Sequence, residues 1–273
     1  MATKKIVSTG TTPATTVEAA QFTPTPEAKK QAGTYRIIAV VLWVLAIAAE
    51  AFTIFWVLRH TELNGFMIWL IALIVVIGVL ALAGSILWKK ANRFDPASKK
   101  DPVRFFIQNQ LGVFITLLAF VPLIVLIFLN KDMDKNQKTI AGIVGIIVAL
   151  GVGLGSADFV PPSQEDISQD AGLAVEYTGT DTVYWVKGGK VYHLCAEYPA
   201  GTNIPALSRG GADNVIYAGT VSEAVQAGKT RLSMYGFKEC GLTEGEPTGK
   251  LPVAQTGTYE EDPEAQSPSG NPT

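Results

Sequence analysis

The sequence predicts an α-helical polytopic membrane protein: four transmembrane helices, then a small α+β C-terminal soluble domain, with disordered termini. Three observations predict it. Four long apolar runs lie between residues 37 and 157 with no period-two alternation, lysine and arginine cluster on alternate connections, and the composition turns acidic and then globular after residue 157. The 273-residue chain is 48% hydrophobic with a mean hydropathy of +0.26, averages that merge three kinds of polypeptide.

Residues 1–34 are rich in Thr, Ala, Pro and Lys and show no apolar periodicity, which predicts a disordered arm unable to bury enough surface to offset its ordering entropy. No short apolar core or small-residue cleavage site follows its lysines, so the first membrane helix is expected to be retained. The region 35–157 holds the four spans. Runs 37–58, 66–88 and 111–129 approach or exceed the roughly 20 apolar residues that cross about 30 Å of hydrocarbon as a helix. Run 140–157 is shorter and glycine-rich but carries no charge. Strands are excluded by the pattern and because an open sheet edge in lipid would leave backbone groups without partners. An acidic linker is expected over 158–170, the small α+β domain over 171–242, and a Pro-, Glu-, Gly- and Ser-rich disordered tail over 243–273. The net charge of −2 gives no reason to expect a nucleic-acid partner.

Orientation follows from the basic residues, because short loops that carry them stay on the cytoplasmic side. One side receives Lys4, Lys5, Lys29, Lys30 and Arg36 of the arm and Lys89, Lys90, Arg93, Lys99, Lys100 and Arg104 of the second connection. The other receives Arg59, Lys131, Lys135 and Lys138. Eleven against four, with four crossings, predicts cytoplasmic N- and C-termini.

Within the spans, Ala141, Gly145, Ala149, Gly153 and Ala157 form a ladder of small residues on one face of the fourth helix. Small side chains let a neighbouring backbone approach closely, whether that helix belongs to this chain or to a partner. Glu50 is the one acidic residue inside a span. A carboxylate at bilayer depth costs on the order of 2.5 to 3.5 kcal/mol, so it must be protonated, hydrated or paired. A relay would need a second polar group at matching depth, and Gln108, Gln110 and Ser85 are not level with it. Glu50 is therefore read first as a packing or partner contact, with transport as the alternative. Pro122 is read as a helix kink.

In the soluble domain, alternation over 181–186 and 190–194 around Gly188-Gly189 predicts a hairpin whose turn uses positive φ. A strand is expected over 214–218, then a helix opened by the capping box Thr220-Val221-Ser222-Glu223 and stopped at Gly228, then a return strand over 230–234. A domain of about seventy residues has a thin core and gains from a staple. His193, Cys195 and Cys240 are weak metal candidates: zinc needs a fourth ligand and no Cys-x-x-Cys is present. A Cys nucleophile with a His base lacks its third, orienting group. A Cys195–Cys240 disulfide and two buried thiols remain, and a cytoplasmic location favours thiols. No catalytic residue, metal or cofactor of the chain's own is predicted. With only His60 and His193 in the chain, a bis-histidine haem core is excluded by count.

The run Val183-Tyr184-Trp185-Val186-Lys187-Gly188-Gly189-Lys190-Val191-Tyr192-His193-Leu194-Cys195, with Ile216-Tyr217-Ala218-Gly219-Thr220-Val221-Ser222-Glu223-Ala224 and Ala227-Gly228-Lys229-Thr230-Arg231-Leu232, resembles the C-terminal module of actinobacterial multi-pass membrane accessory subunits associated with the cytochrome bcc-oxidase respiratory supercomplex. Related modules often carry more cysteine, and here Tyr198 stands where a further one is expected, which weakens zinc binding. The resemblance implies a non-enzymatic subunit of the plasma membrane whose partners are lipids and cytochrome-containing respiratory subunits. The rival expectations are a small transporter or proton-linked protein using Glu50, and a membrane-anchored metal- or ligand-sensing assembly factor.

Overall fold

The computed structural model describes residues 5–9, 14–18, 21–62, 64–197, 204, 207, 215–233, 235–247 and 259–261. The chain divides into two compact units: Pro24–Pro161, and Met1–Thr23 together with Pro162–Thr273.

The first unit is a helix bundle. Helices α1 (Pro26–Phe55), α2 (Phe66–Phe94), α3 (Pro102–Leu129) and α4 (Lys135–Ser156) contain the four apolar runs, apart from the last residues of the first run, a 3-10 turn at Val57–Arg59, and Ala157, which caps α4. All four are long and apolar enough to cross a membrane. The first three extend past their apolar runs at the same end of the bundle: α1 begins at Pro26, α2 continues to Phe94 and α3 begins at Pro102. Side chains cap the starts of α1, α3 and α4, while α2 follows Gly65 at φ +77° without a side-chain cap. Thr25 accepts the Ala28 N–H, Asp101 accepts the Arg104 N–H, and Asp134 and Gln137 form a reciprocal capping box on α4. Outward positions carry Ile, Val, Leu and Phe, as expected for surfaces that meet acyl chains, while the interior is lined by Ala, Gly, Leu and Ile. Pro122 lies inside an unbroken α3.

Glycine sets the closest helix approaches. A Cβ at Gly78 would fall 2.7 Å from Val148 of α4, one at Gly84 would fall 2.6 Å from the Trp43 indole, and one at Gly155 would fall 2.8 Å from Leu82. Such contacts supply dispersion attraction between the helices.

The second unit corrects three expectations. The arm is not disordered throughout: Lys5–Ser8 form β1, and Ile6 is almost wholly buried. The segment 158–170 is not all linker, because helix α5 spans Gln164–Thr178, capped by Ser163 with Glu165 and Asp166 in its first turn. Acidic side chains there complement the helix dipole, which is why a stretch that reads as a charged spacer starts a helix. The tail contributes β6 (Tyr259–Glu261). With β2 (Thr182–Trp185) and β4 (Val215–Thr220) these make one mixed sheet in the order β2-β4-β1-β6. Strand β1 is parallel to both neighbours, pairing Ile6 with Ile216 and with Tyr259, while β2 and β4 are antiparallel.

A two-stranded sheet joins β3 (Val191–Tyr192) to β5 (Arg231–Leu232). The predicted hairpin exists as an antiparallel bridge, Tyr184 with His193, each N–H donating to the other's carbonyl at 2.8 Å. Its turn differs from expectation, since neither Gly188 nor Gly189 takes a positive φ. The cause is Lys229, whose ammonium donates to the carbonyls of Val186 (2.6 Å), Gly189 (2.7 Å) and Lys187 (3.3 Å). Carbonyls turned inward onto a cation hold the loop open. Thr220 and Glu223 form the capping box of helix α6 (Val221–Gln226), and Gly228 follows with φ +93°. Helix α7 (Gly236–Glu239) closes the domain. The strand and return segment match 214–218 and 230–234 in kind, and Asn214, Met234 and Tyr198 lie outside the described residues.

Candidate functional site

Glu50 sits on α1 with its side chain buried in the bundle, and its carboxylate approaches the main-chain N–H of Leu123 on α3, one residue beyond Pro122. Its Oε1 atom has no hydrogen-bond partner among the described residues. Thr53, one turn further along α1, is buried and donates to the Ala49 carbonyl at 2.8 Å, while the polar groups of the other helices lie elsewhere. Ser85 donates to the Ala81 carbonyl at 2.9 Å, and Thr116 and Ser156 face one another at 3.3 Å. Gln108 and Gln110 sit 15 and 13 residues before Leu123 on α3, roughly 20 Å away along the axis. Gln108 and Gln110 are therefore not level with Glu50.

The small-residue ladder is used unevenly. Ala141 and Gly145 are buried, and a Cβ on Gly145 would lie 3.2 Å from Ile124 of α3. Beyond them Ala149, Gly153 and Ala157 are only partly buried, and no heavy atom lies within 4 Å of a Cβ built at Gly153. Ala149, Gly153 and Ala157 open into an apolar groove of about 390 Å³ whose opposite wall includes Thr116, Phe120 and Val121 of α3. Tighter contacts fall one position off the ladder, where Gly142 packs on the Phe128 ring. Gly142 follows Ala141 directly, so a glycine count along α4 finds it where a period-four rule does not.

The basic end of the bundle is its polar end. Arg36 Nη1 donates to Asp95 Oδ2 at 2.8 Å, and Trp88 Nε1 and Asn92 Nδ2 both donate to the Gln108 carbonyl, at 2.7 and 2.9 Å. Lys89 donates to the Gly155 carbonyl at 2.6 Å, satisfying the open end of α4. Asn92 stands in the basic stretch that follows the second apolar run, where nothing in the sequence marks it, and its partners on α3 are 16 and 17 residues distant.

In the strand-bearing unit, Cys195 and Cys240 form a disulfide with Cα atoms 5.7 Å apart. The expectation that favoured thiols is corrected: α7 delivers Cys240 to Cys195, and the staple serves a thin core. A bonded pair supplies neither a thiolate ligand nor a nucleophile, and no metal-holding group of His, Cys, Asp or Glu occurs among the described residues. His193 instead donates from Nδ1 to Glu239 Oε2 at 2.9 Å, one residue from the disulfide. Two adjacent links thus tie the segment 193–195, just after β3, to the end of α7. Asp170 of α5 accepts the Tyr192 hydroxyl; burial pushes the Asp170 carboxyl up from 3.8, with the Tyr192 hydrogen bond opposing. Burial, together with the Asp170 charge, pushes the Tyr192 hydroxyl up as well. Burial lowers the Lys229 ammonium from 10.5. Sequence reading missed these anchors, since each is a polar residue made interior by a partner more than twenty residues away.

Comparison with protein-family models, curated proteins and solved structures found no match.

Proposed function

We propose that this chain is a non-catalytic accessory subunit of an actinobacterial respiratory assembly, the menaquinol-to-oxygen cytochrome bcc-oxidase supercomplex, which it supports in assembly or stability. The observation that carries the docking half is the divided ladder of α4. Ala141 and Gly145 are buried within the bundle, Gly145 against α3, while a Cβ at Gly153 would have no heavy atom within 4 Å among the described residues and lies beside an apolar groove. Small residues without an internal neighbour suit close approach by a foreign helix. The respiratory identity of that partner rests on the resemblance carried by residues 183–232. Mild-detergent purification tests both halves: haem-containing subunits should co-purify with the native chain and be lost from Gly153→Leu. A native preparation free of cytochromes would refute the proposal.

One observation favours a second reading. The partnerless Oε1 of the buried Glu50 is compatible with a proton-linked transporter. Proton flux in vesicles that disappears in Glu50→Gln would select it.

We place the strand-bearing unit and both chain ends on the cytoplasmic face of the plasma membrane. The eleven-to-four excess of basic residues supports this, and pairing of β1 with β4 and β6 requires both ends on one side, as four crossings provide. The disulfide argues the other way, because such bonds persist in oxidising compartments. Cys195 and Cys240 are buried and bonded, so they cannot report topology. Lys187 is exposed, and Lys187→Cys should resist a membrane-impermeant maleimide in intact cells and react after permeabilisation.

A further inference from the structure

We infer that the cleft at the basic end of the bundle binds an anionic phospholipid, its phosphate held by Arg104 and Arg36 and an acyl chain lying on Ile107 and Leu111. The cleft has a volume of about 580 Å³ and is lined by Arg36, Trp88, Asp101, Val103, Arg104, Ile107, Gln108 and Leu111. Its polarity changes with depth as a lipid's does. Along α3, Ile107 and Leu111 follow Arg104 by three and seven residues, on one helical face and roughly 5 and 10 Å deeper.

The two carboxylates nearby already have partners. Asp95 Oδ2 accepts from Arg36, and Asp101 Oδ1 accepts the main-chain N–H of Arg104 at 3.0 Å. The Arg104 guanidinium is exposed and has no partner among the described residues. Over residues 89–104 six basic side chains stand against two acidic ones, a field that attracts anionic headgroups.

The walls are fixed before any ligand arrives. Arg36 Cζ lies 5.8 Å from the Trp88 ring centroid, Arg36 Nη2 donates to the Asp95 carbonyl at 3.1 Å, and Gln108 Nε2 donates to the same carbonyl at 3.0 Å. Trp88 donates its indole N–H to Gln108, which keeps an amphipathic ring at the depth where tryptophan meets headgroups. A free phosphate would use only the guanidinium groups. The apolar floor is what calls for an attached chain. The inference depends on the four helices crossing a bilayer and not on any respiratory partner.

The test uses the full-length protein in nonionic detergent, with binding read by native mass spectrometry and by melting temperature. The ligands are phosphatidylglycerol, phosphatidylcholine with the same acyl chains, and inorganic phosphate. Phosphatidylglycerol should remain bound and raise the melting temperature, and Arg104→Gln should weaken that binding about fivefold to tenfold while melting like the native protein in the absence of lipid. Arg104→Lys should keep most of the binding. Three results overturn the inference: equal binding of phosphatidylcholine, an equal melting shift with phosphate alone, or unchanged phosphatidylglycerol binding in both Arg104 variants.

Discussion

Glu50, which is buried, and Asp170, which is half-buried, are carboxyl groups with different surroundings. Glu50 has one approach from a main-chain N–H and one oxygen without a partner, so glutamine can keep the approach and occupy the same space. Glu50→Gln should leave helix packing and co-purification nearly unchanged, checked by detergent melting and by cytochrome content. A proton-movement defect in an intact assembly would transfer the residue to the transport reading. Asp170 accepts from Tyr192, and its carboxyl is raised above 3.8, so the folded domain binds its proton more tightly than the unfolded chain does. The stabilising contribution of that proton is complete below 3.8 and is lost as pH rises through the folded value. Asn keeps an acceptor for Tyr192 and does not titrate. The melting temperature of Asp170→Asn minus that of the native protein should therefore be more positive at about pH 7 than at about pH 3.5. A difference independent of pH would remove Asp170 from the titrating set.

Among the elements, those built from local rules were legible and those built from distant partners were not. The four long apolar helices follow from unbroken hydropathy, and α6 follows from a capping box and a glycine stop within nine residues. Strand β1 was hidden because Lys5–Ser8 reads as part of a Thr/Pro-rich arm until β4, some 210 residues away, accepts it. The loop at Gly188 was misjudged for a similar reason, since Lys229 fixes its carbonyls from 40 residues downstream. The ladder of α4 was legible as a small-residue face but not in its division. That division makes a sharp pair of expectations. Gly145→Leu pushes on Ile124 and should cost about 1 to 3 kcal/mol, the usual range for overpacking, read as a lower melting temperature in detergent. A Cβ at Gly153 has no heavy atom within 4 Å among the described residues and the groove beside it leaves room for a longer side chain, so Gly153→Leu should melt like the native protein while losing the proposed partner. Equal stability loss in both would mean that the whole ladder packs internally.

The whole molecule is a chain whose two ends close on each other. Residues 5–22 do more than add a strand. Thr9 donates to Glu223 Oε2 at 2.7 Å and to the Ala218 carbonyl at 3.2 Å, Ala14 donates to Asp181 Oδ1 at 2.7 Å, and Phe22 donates to Ser168 Oγ at 2.9 Å. Gly219 lies beneath this crossing, where a Cβ would run into Thr9 and Glu223. The domain after the fourth helix is therefore incomplete without residues that precede the first. Deleting residues 1–9 removes Lys4 and Lys5 but keeps Lys29, Lys30 and Arg36 on α1, so the bundle should still insert and melt normally. It removes the buried Ile6 and uncovers the β4 edge. Loss of the Ile6 side chain alone is worth about 2 to 5 kcal/mol, and an unpaired inner strand invites aggregation. Limited proteolysis should then cut the truncated protein within 164–242 under conditions that spare the native chain. A synthetic peptide covering residues 1–12 should restore resistance by adding its strand back to the sheet. Unchanged resistance after the deletion would mean that the C-terminal segment folds without the arm.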